Sequence, residues 1–120
     1  MTRLPQLLEE SHADLLADPA AALSKAFVSL DVLLRTDESS QYKRFMETSG
    51  TTATVLYLRG DQLWVAWVGD SRAIKAAGPA QPAARKGGGA LTATDLTSDH
   101  KPEVASERAR IEQSGGVVEP

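Results

Sequence analysis

The sequence predicts an α/β chain of the α+β kind: two helices, then a run of antiparallel strands, then a short strand and a closing helix. Three observations carry this expectation. Apolar residues recur at helical spacing through residues 4–34, β-branched and aromatic residues crowd residues 51–68 around a glycine-containing turn, and Pro102 opens a second helical stretch. With 120 residues, 42% of them apolar and 24% charged, the chain has the balance of a single globular domain with a packed core.

Residues 4–16 place Leu4, Leu7, Leu8, Leu15 and Leu16 at loosely helical spacing against Glu9, Glu10 and Asp14, which predicts one short amphipathic helix. Asp18-Pro19 then supplies a side-chain acceptor and a ring-fixed φ, the signature of a helix start. In this second helix Leu23, Phe27, Leu30 and Leu34 form the apolar stripe, with Lys25, Ser29 and Asp31 off it, and the polar run 36–41 marks its end. Residues 51–58 and 62–68 predict two antiparallel strands joined at Arg59-Gly60-Asp61. The second strand is apolar on both faces, Leu63, Val65 and Trp67 against Trp64, Ala66 and Val68, so the sheet is expected to be covered on both sides. A third strand over 72–76 completes a three-strand meander. Residues 77–89, rich in Ala, Pro and Gly, predict a flexible loop. A strand over 90–96 and a helix from Pro102 to the Gly115-Gly116 stop follow, and Val117-Val118 begins a further strand.

Charge and composition exclude several classes of function. Thirteen basic against 16 acidic residues give a net charge of −3, which offers no basic field for a nucleic acid. The absence of cysteine removes disulfides, thiolate nucleophiles and thiolate zinc sites. No window reaches the roughly 18 apolar residues that span a bilayer, and no leader pattern opens the chain, so no membrane partner is expected and the expected location is intracellular, in the cytoplasm.

Three segments carry a resemblance: Ser49-Gly50-Thr51-Thr52-Ala53, then Val65-Ala66-Trp67-Val68-Gly69-Asp70-Ser71-Arg72-Ala73, then Leu96-Thr97-Ser98-Asp99-His100-Lys101-Pro102. In this order and at this spacing they are similar to the central motifs of the metal-dependent protein serine/threonine phosphatases of type 2C (PPM type). The continuation from Glu107-Arg108 through Arg110-Ile111 to Gly115-Gly116-Val117-Val118 resembles that family's stretch leading into its flap. Four ordered matches make the resemblance specific. Residues 4–34 resemble, more weakly, the two helices that follow the family's first metal motif. Two departures stand out: Trp67 occupies a position where the family has a smaller or polar residue, and residues 77–89 exceed its common short turn.

The resemblance implies a central β-sandwich flanked by helices. It would hold a pair of Mg2+ or Mn2+ ions that activate a bridging water against the phosphomonoesters of phosphoserine and phosphothreonine proteins. Hard divalent cations take oxygen ligands, and two of them generate hydroxide while screening the phosphate charge. On this reading residues 1–120 are part of such a domain: two helices over 4–36, the meander over 49–76, the loop over 77–89, and strand, helix and start of the flap over 90–118. The family's Asp-Gly-His-Gly-Gly segment is expected before Met1, and its Asp-Gly and Asp-Asn segments after Pro120. These segments and the phosphate-binding arginine are not among the 120 residues, so the chain is expected to be catalytically incomplete and no catalytic residue is assigned. Asp70 alone matches a family metal ligand, the aspartate that helps hold a third, weaker ion. The alternative is a non-catalytic phosphatase-like protein that binds or regulates.

Other residues have plainer readings. Arg72 opens a strand beside acids, which predicts a structural ion pair, and His100 at a helix entrance predicts a capping or packing role. His12 is expected on the surface of a helix, and Arg59-Gly60-Asp61 is read as a hairpin turn rather than an adhesion signal. Ser49 and Thr51 have no base placed near them by any motif and are not nucleophile candidates.

Overall fold

The computed structural model describes residues 3–36, 49–78 and 91–119. In chain order these form α1 (Arg3–Glu10), α2 (His12–Ala17), α3 (Pro19–Thr36), β1 (Ala53–Arg59), β2 (Gln62–Val68), β3 (Ile74–Ala77), β4 (Thr92–Asp95) and α4 (Ala105–Gln113). The class is the expected α+β. Two compact units divide the chain, one made of Met1–Thr51 with Val55–Ala66 and the other of Thr52–Thr54 with Trp67–Pro120.

In the first unit the start of α3 follows its sequence signal. The Asp18 carboxylate accepts the Ala21 N–H at 3.1 Å, and Pro19 supplies the first helical residue, whose missing N–H would have had no partner in any case. The single helix expected over 4–16 is instead two. Ser11, at φ −95° and ψ 24°, leaves helical geometry, although Ser11 N–H still reaches Leu7 O at 3.1 Å and Leu15 N–H reaches Ser11 O at 2.9 Å. The break lets two short helices each lie against α3. Isolated helices of this length are marginal in water, so their order comes from that packing.

The core of this unit is small: Leu15, Ala22 and Leu23 are buried, Leu23 with 2% of its surface exposed, and Leu8, Val55, Tyr57, Trp64 and Ala66 pack against them. Strand alternation explains the last four, since Val55 and Tyr57 on β1 and Trp64 and Ala66 on β2 share the helix-facing side of the hairpin. Tyr57 and Trp64 meet with ring centroids 5.7 Å apart. Arg59 lies over the Trp64 ring at 5.1 Å and donates from Nη1 to Leu16 O at 2.7 Å. Gly60, at φ 61°, makes the turn that follows Arg59, as expected for a hairpin. The other side of the hairpin differs from expectation. Leu56, Leu58 and Leu63 are 52%, 68% and 40% exposed, so the second face is open at these positions, while Val65 and Trp67 on that face are half-buried. The helices line one side of the two-stranded sheet, and the opposite side chains face away from them.

In the second unit the third strand does not extend a meander. β3 pairs with β4, antiparallel, from Ile74 opposite Asp95 to Ala77 opposite Thr92, and the described strands form two two-stranded sheets. The cause lies at Gly69, whose φ of 94° turns the chain off the β1–β2 ladder before β3 begins. Both strands are shorter than the expected 72–76 and 90–96. α4 starts at Ala105 rather than Pro102, because residues 101–104 close a turn through Val104 N–H to Lys101 O at 2.9 Å. The helix ends as expected at Gly115, with φ 84°. Val117 and Val118 are not in a strand. The loop expected over 77–89 lies outside the described residues except for Ala77, which ends β3, and Gly78; the run 37–41 also lies outside them. No helix among the described residues is long and apolar enough to cross a membrane.

A core this small concentrates stability in few side chains. Leu23→Ala is expected to lower the unfolding free energy by about 2–5 kcal/mol, and Val28→Ala, at a 66% exposed site on the same helix, by no more than about 0.5 kcal/mol, both read from urea denaturation.

Candidate functional site

The site expected around Asp70 lies at the bend that follows β2. Gly69 is required there twice. Its positive φ disfavours any L side chain, and an added Cβ would fall 2.9 Å from Thr52 Cβ and still closer to Thr52 Cγ2. Thr52 then holds the next turn residue, its Oγ1 lying 2.7 Å from Ser71 Oγ, and Thr54 Oγ1 donates to Ser71 O at 3.3 Å. The first motif therefore serves as a bracket for the second.

The third motif closes the bend from the other side. Leu96 N–H donates to Ala73 O at 2.9 Å, and His100 N–H donates to Gly69 O at 3.1 Å. Each step back from Ile74 is matched by one step forward from Asp95, so the β3–β4 register continues through residues 69–73 and 96–100 although neither segment is regular strand. Side chains reinforce it. Thr97, 9% exposed, accepts the Ala73 N–H on Oγ1 at 3.0 Å. Trp67 Nε1 donates to Ser98 O at 2.8 Å, and the Trp67 and His100 rings stack with centroids 5.8 Å apart. His100 Nδ1 accepts the Gly69 N–H at 3.3 Å, so this histidine packs and positions backbone. Trp67, a departure from the family pattern, is part of the clasp rather than a disturbance of it.

In this register Asp70 stands opposite Asp99, and the two acids are met by two cations. Arg72 donates to Asp99 through Nε at 2.7 Å and Nη2 at 2.8 Å, the planar two-point match that makes arginine–carboxylate pairs strong. Lys101 Nζ lies 3.2 Å from Asp99 Oδ2 and 4.0 Å from Asp70 Oδ2. The Asp99 side chain is 12% exposed, while that of Asp70 is 52% exposed. The hydrogen bonds from Arg72, aided by Lys101, hold the Asp99 carboxyl well below the usual carboxylate range against the cost of its desolvation. The same bonds raise Arg72 further above its ordinary value. In α4, Arg110 Nε donates to Glu107 at 2.8 Å and lowers that carboxyl as well.

The structure thus places Asp70 on the exposed bend, with one ammonium as its nearest charge. The ion pair expected of Arg72 and the packing role expected of His100 are both present. The residues that the sequence did not single out are Thr97, Asp99 and Lys101. They stood inside a recognised motif, but only the tertiary register shows that they meet Ala73, Arg72 and Asp70 respectively. Among the described residues no group of three or more acids and histidines is placed to hold a metal ion. A hard divalent cation takes six or more oxygen ligands, and one exposed carboxylate with an ammonium beside it does not fit such an ion without further donors.

Three helices beside a hairpin, and a Gly-Asp-Ser-Arg bend clasped by a Ser-Asp-His-Lys segment, define a chain of the phosphatase type. Residues 2–120 match the family model of protein phosphatase 2C, and the chain belongs to that family. It is 37% identical over 108 residues to "Probable protein phosphatase 2C 11" of Arabidopsis thaliana, covering 90% of this chain and 25% of that protein. To "Probable protein phosphatase 2C 45" of Oryza sativa subsp. japonica it is 37% identical over 107 residues, covering 89% and 32%. A third relative, "Probable protein phosphatase 2C member 13, mitochondrial" of the same rice, is 36% identical over 107 residues, covering 89% and 25%. The chain therefore spans about a quarter to a third of the length of these relatives. No solved structure matches it significantly.

Two measurements probe the clasp. Thr97→Val is expected to cost about 1–3 kcal/mol by leaving the Ala73 N–H without its acceptor, with Thr97→Ser retaining most of the stability. The pH dependence follows from Asp99. Its folded-state pKa is depressed, so above about pH 4, the ordinary carboxylate value, its contribution is fully present. Below that pH the unfolded chain binds the proton that the folded chain refuses, and the contribution is lost as pH falls. Glu107 adds a loss of the same sign, so a urea midpoint followed from pH 6 to pH 2.5 is expected to fall less steeply in Asp99→Asn than in the unsubstituted chain.

Proposed function

We propose that this chain is the central part of a metal-dependent protein serine/threonine phosphatase domain, and that Asp70 contributes one carboxylate to a Mg2+ or Mn2+ ion. The parent polypeptide would remove phosphate from phosphoserine and phosphothreonine proteins, in an intracellular setting. The observation that carries this reading is the bend at Gly69-Asp70: the first and third family motifs both converge on it, and it presents an exposed carboxylate beyond the last residue of β2. Turns at strand ends, held by a rigid scaffold, are where ligand-binding side chains concentrate. The proposed divisions are the two helices over 4–36, strands over 49–76, a connecting loop over 77–89, and strand, helix and approach to a flap over 90–118.

Among the described residues no group of three or more acids and histidines is gathered at one place to hold a metal ion, so no reaction step is assigned to them. The isolated chain is proposed to be catalytically incomplete. One observation favours a second reading, a phosphatase-like protein that binds without hydrolysing: both acids at the bend, Asp70 and Asp99, are already met by cations.

Release of phosphate from a phosphothreonine peptide with Mn2+ or Mg2+ separates these. The parent polypeptide is expected to show chelator-sensitive turnover that Asp70→Ala lowers by about tenfold or more, the scale of losing a supporting residue at a metal site. The 120-residue chain alone is expected to show none. Turnover by the chain alone would overturn its incompleteness, and an inactive parent would turn the assignment to the binding protein.

A further inference from the structure

His100 holds the bend through more than its place in the register. Its own N–H donates to Gly69 O at 3.1 Å, and its Nδ1 accepts the Gly69 N–H at 3.3 Å, so one residue grips both backbone groups of the glycine that turns the chain. An imidazole nitrogen accepts only while it carries no proton, so the neutral ring in this place has its proton on Nε2. The ring also stacks on Trp67, with centroids 5.8 Å apart and planes 18° from parallel. On α4, the Glu107 carboxyl is lowered chiefly by its hydrogen bond from Arg110 and in small part by the charge that His100 carries when protonated. The other charged groups of this neighbourhood are Asp99 and Lys101 in the segment of His100 and Asp70 and Arg72 on the bend. With Glu107 and Arg110 they are balanced in sign.

We propose that His100 is a proton-operated latch on this bend: neutral, it closes the second bond to Gly69, and protonated, it releases the Gly69 N–H. Histidine is the side chain that gains its charge between about pH 8 and pH 5. Once Nδ1 carries a proton, two donors point at one another and the bond is lost. The rest of the ring's surroundings accept the charge. A cation over an indole face within about 6 Å is attracted to it, and Glu107 offers a carboxylate. The ring therefore keeps its seat on Trp67, the bond from His100 N–H to Gly69 O remains, and the change is confined to the Gly69 amide. The direction follows from the acceptor: the bond is complete at neutral pH and is lost as pH falls. Such a latch acts on the backbone of the bend and needs no bound ion.

The test follows the 120-residue chain by NMR from about pH 8 down to about pH 5, the range of the imidazole. At the upper end the ring nitrogens of His100 are expected to show the proton on Nε2 and none on Nδ1. A neutral ring with its proton on Nδ1 overturns the latch without recourse to any variant. As pH falls, the Gly69 amide proton is expected to move upfield in step with the titration of the His100 ring. Its exchange, taken relative to the intrinsic rate at each pH, is expected to quicken by about 2- to 10-fold, the span of one hydrogen bond. His12, exposed on α2, is the reference ring, and its titration is expected to leave Gly69 unmoved. His100→Asn sets a carbonyl oxygen near the place of Nδ1 and cannot take up the proton, so it is expected to retain the Gly69 protection and abolish the step with pH. A step that persists in His100→Asn, or a His100 titration that leaves the Gly69 amide unmoved in the unsubstituted chain, overturns the proposal.

Discussion

The Asp99 carboxylate has two hydrogen bonds from one guanidinium, a second cation at 3.2 Å, and little contact with water. Partial desolvation raises the cost of leaving such a group unpaired, and the forked geometry of Arg72 meets it in one orientation. That orientation fixes where residues 96–100 lie along residues 67–73, and the backbone bonds at Leu96 and His100 and the Trp67–Ser98 bond all depend on the same alignment. A shift by one residue would turn Thr97 away from the Ala73 N–H and separate the Arg72–Asp99 pair. Register in this unit is thus specified by polar pairs. The strands themselves supply little specification, since all the residues of β3 and β4 are exposed.

Legibility in the sequence followed the range of the interaction. The start of α3 at Asp18-Pro19, the hairpin turn at Gly60 and the stop at Gly115 are local matters of capping and φ, and they stand where the sequence put them. The motifs were equally legible, because their residues are contiguous. The break at Ser11 was not, since the apolar spacing of residues 4–16 suits one helix as well as two, and packing against α3 decides between them. The partner of β3 was not legible either. β propensity in Ile74–Ala77 says that a strand forms but not which strand it meets, and the left-handed bend at Gly69 redirects it. The compensation of Asp70 by Lys101 was hidden for the same reason: two residues far apart in the chain become neighbours only through the register.

The two units differ in how their side chains hold them. The first gathers leucines, alanines and aromatic rings around Leu23 and leaves a row of leucines on the far side of its hairpin exposed. The second has a single buried side chain among those described, Thr97, and relies on hydrogen bonds and charge pairs around the bend. Loss of apolar area and loss of charge therefore act on different parts of the molecule, the one on the helices and the other on the surroundings of Asp70.

A register pinned at the bend also frees the far end of the β3–β4 pair from any duty. The pairing ends at Ala77 and Thr92, and the Asp99–Arg72 contact lies at the opposite end of the same ladder. The connection between them then has only to close, and closure entropy grows slowly with length, by about 0.6 kcal/mol for each doubling. A change of length between residues 78 and 91 would on this ground cost the bend little, whatever it did to the connection itself.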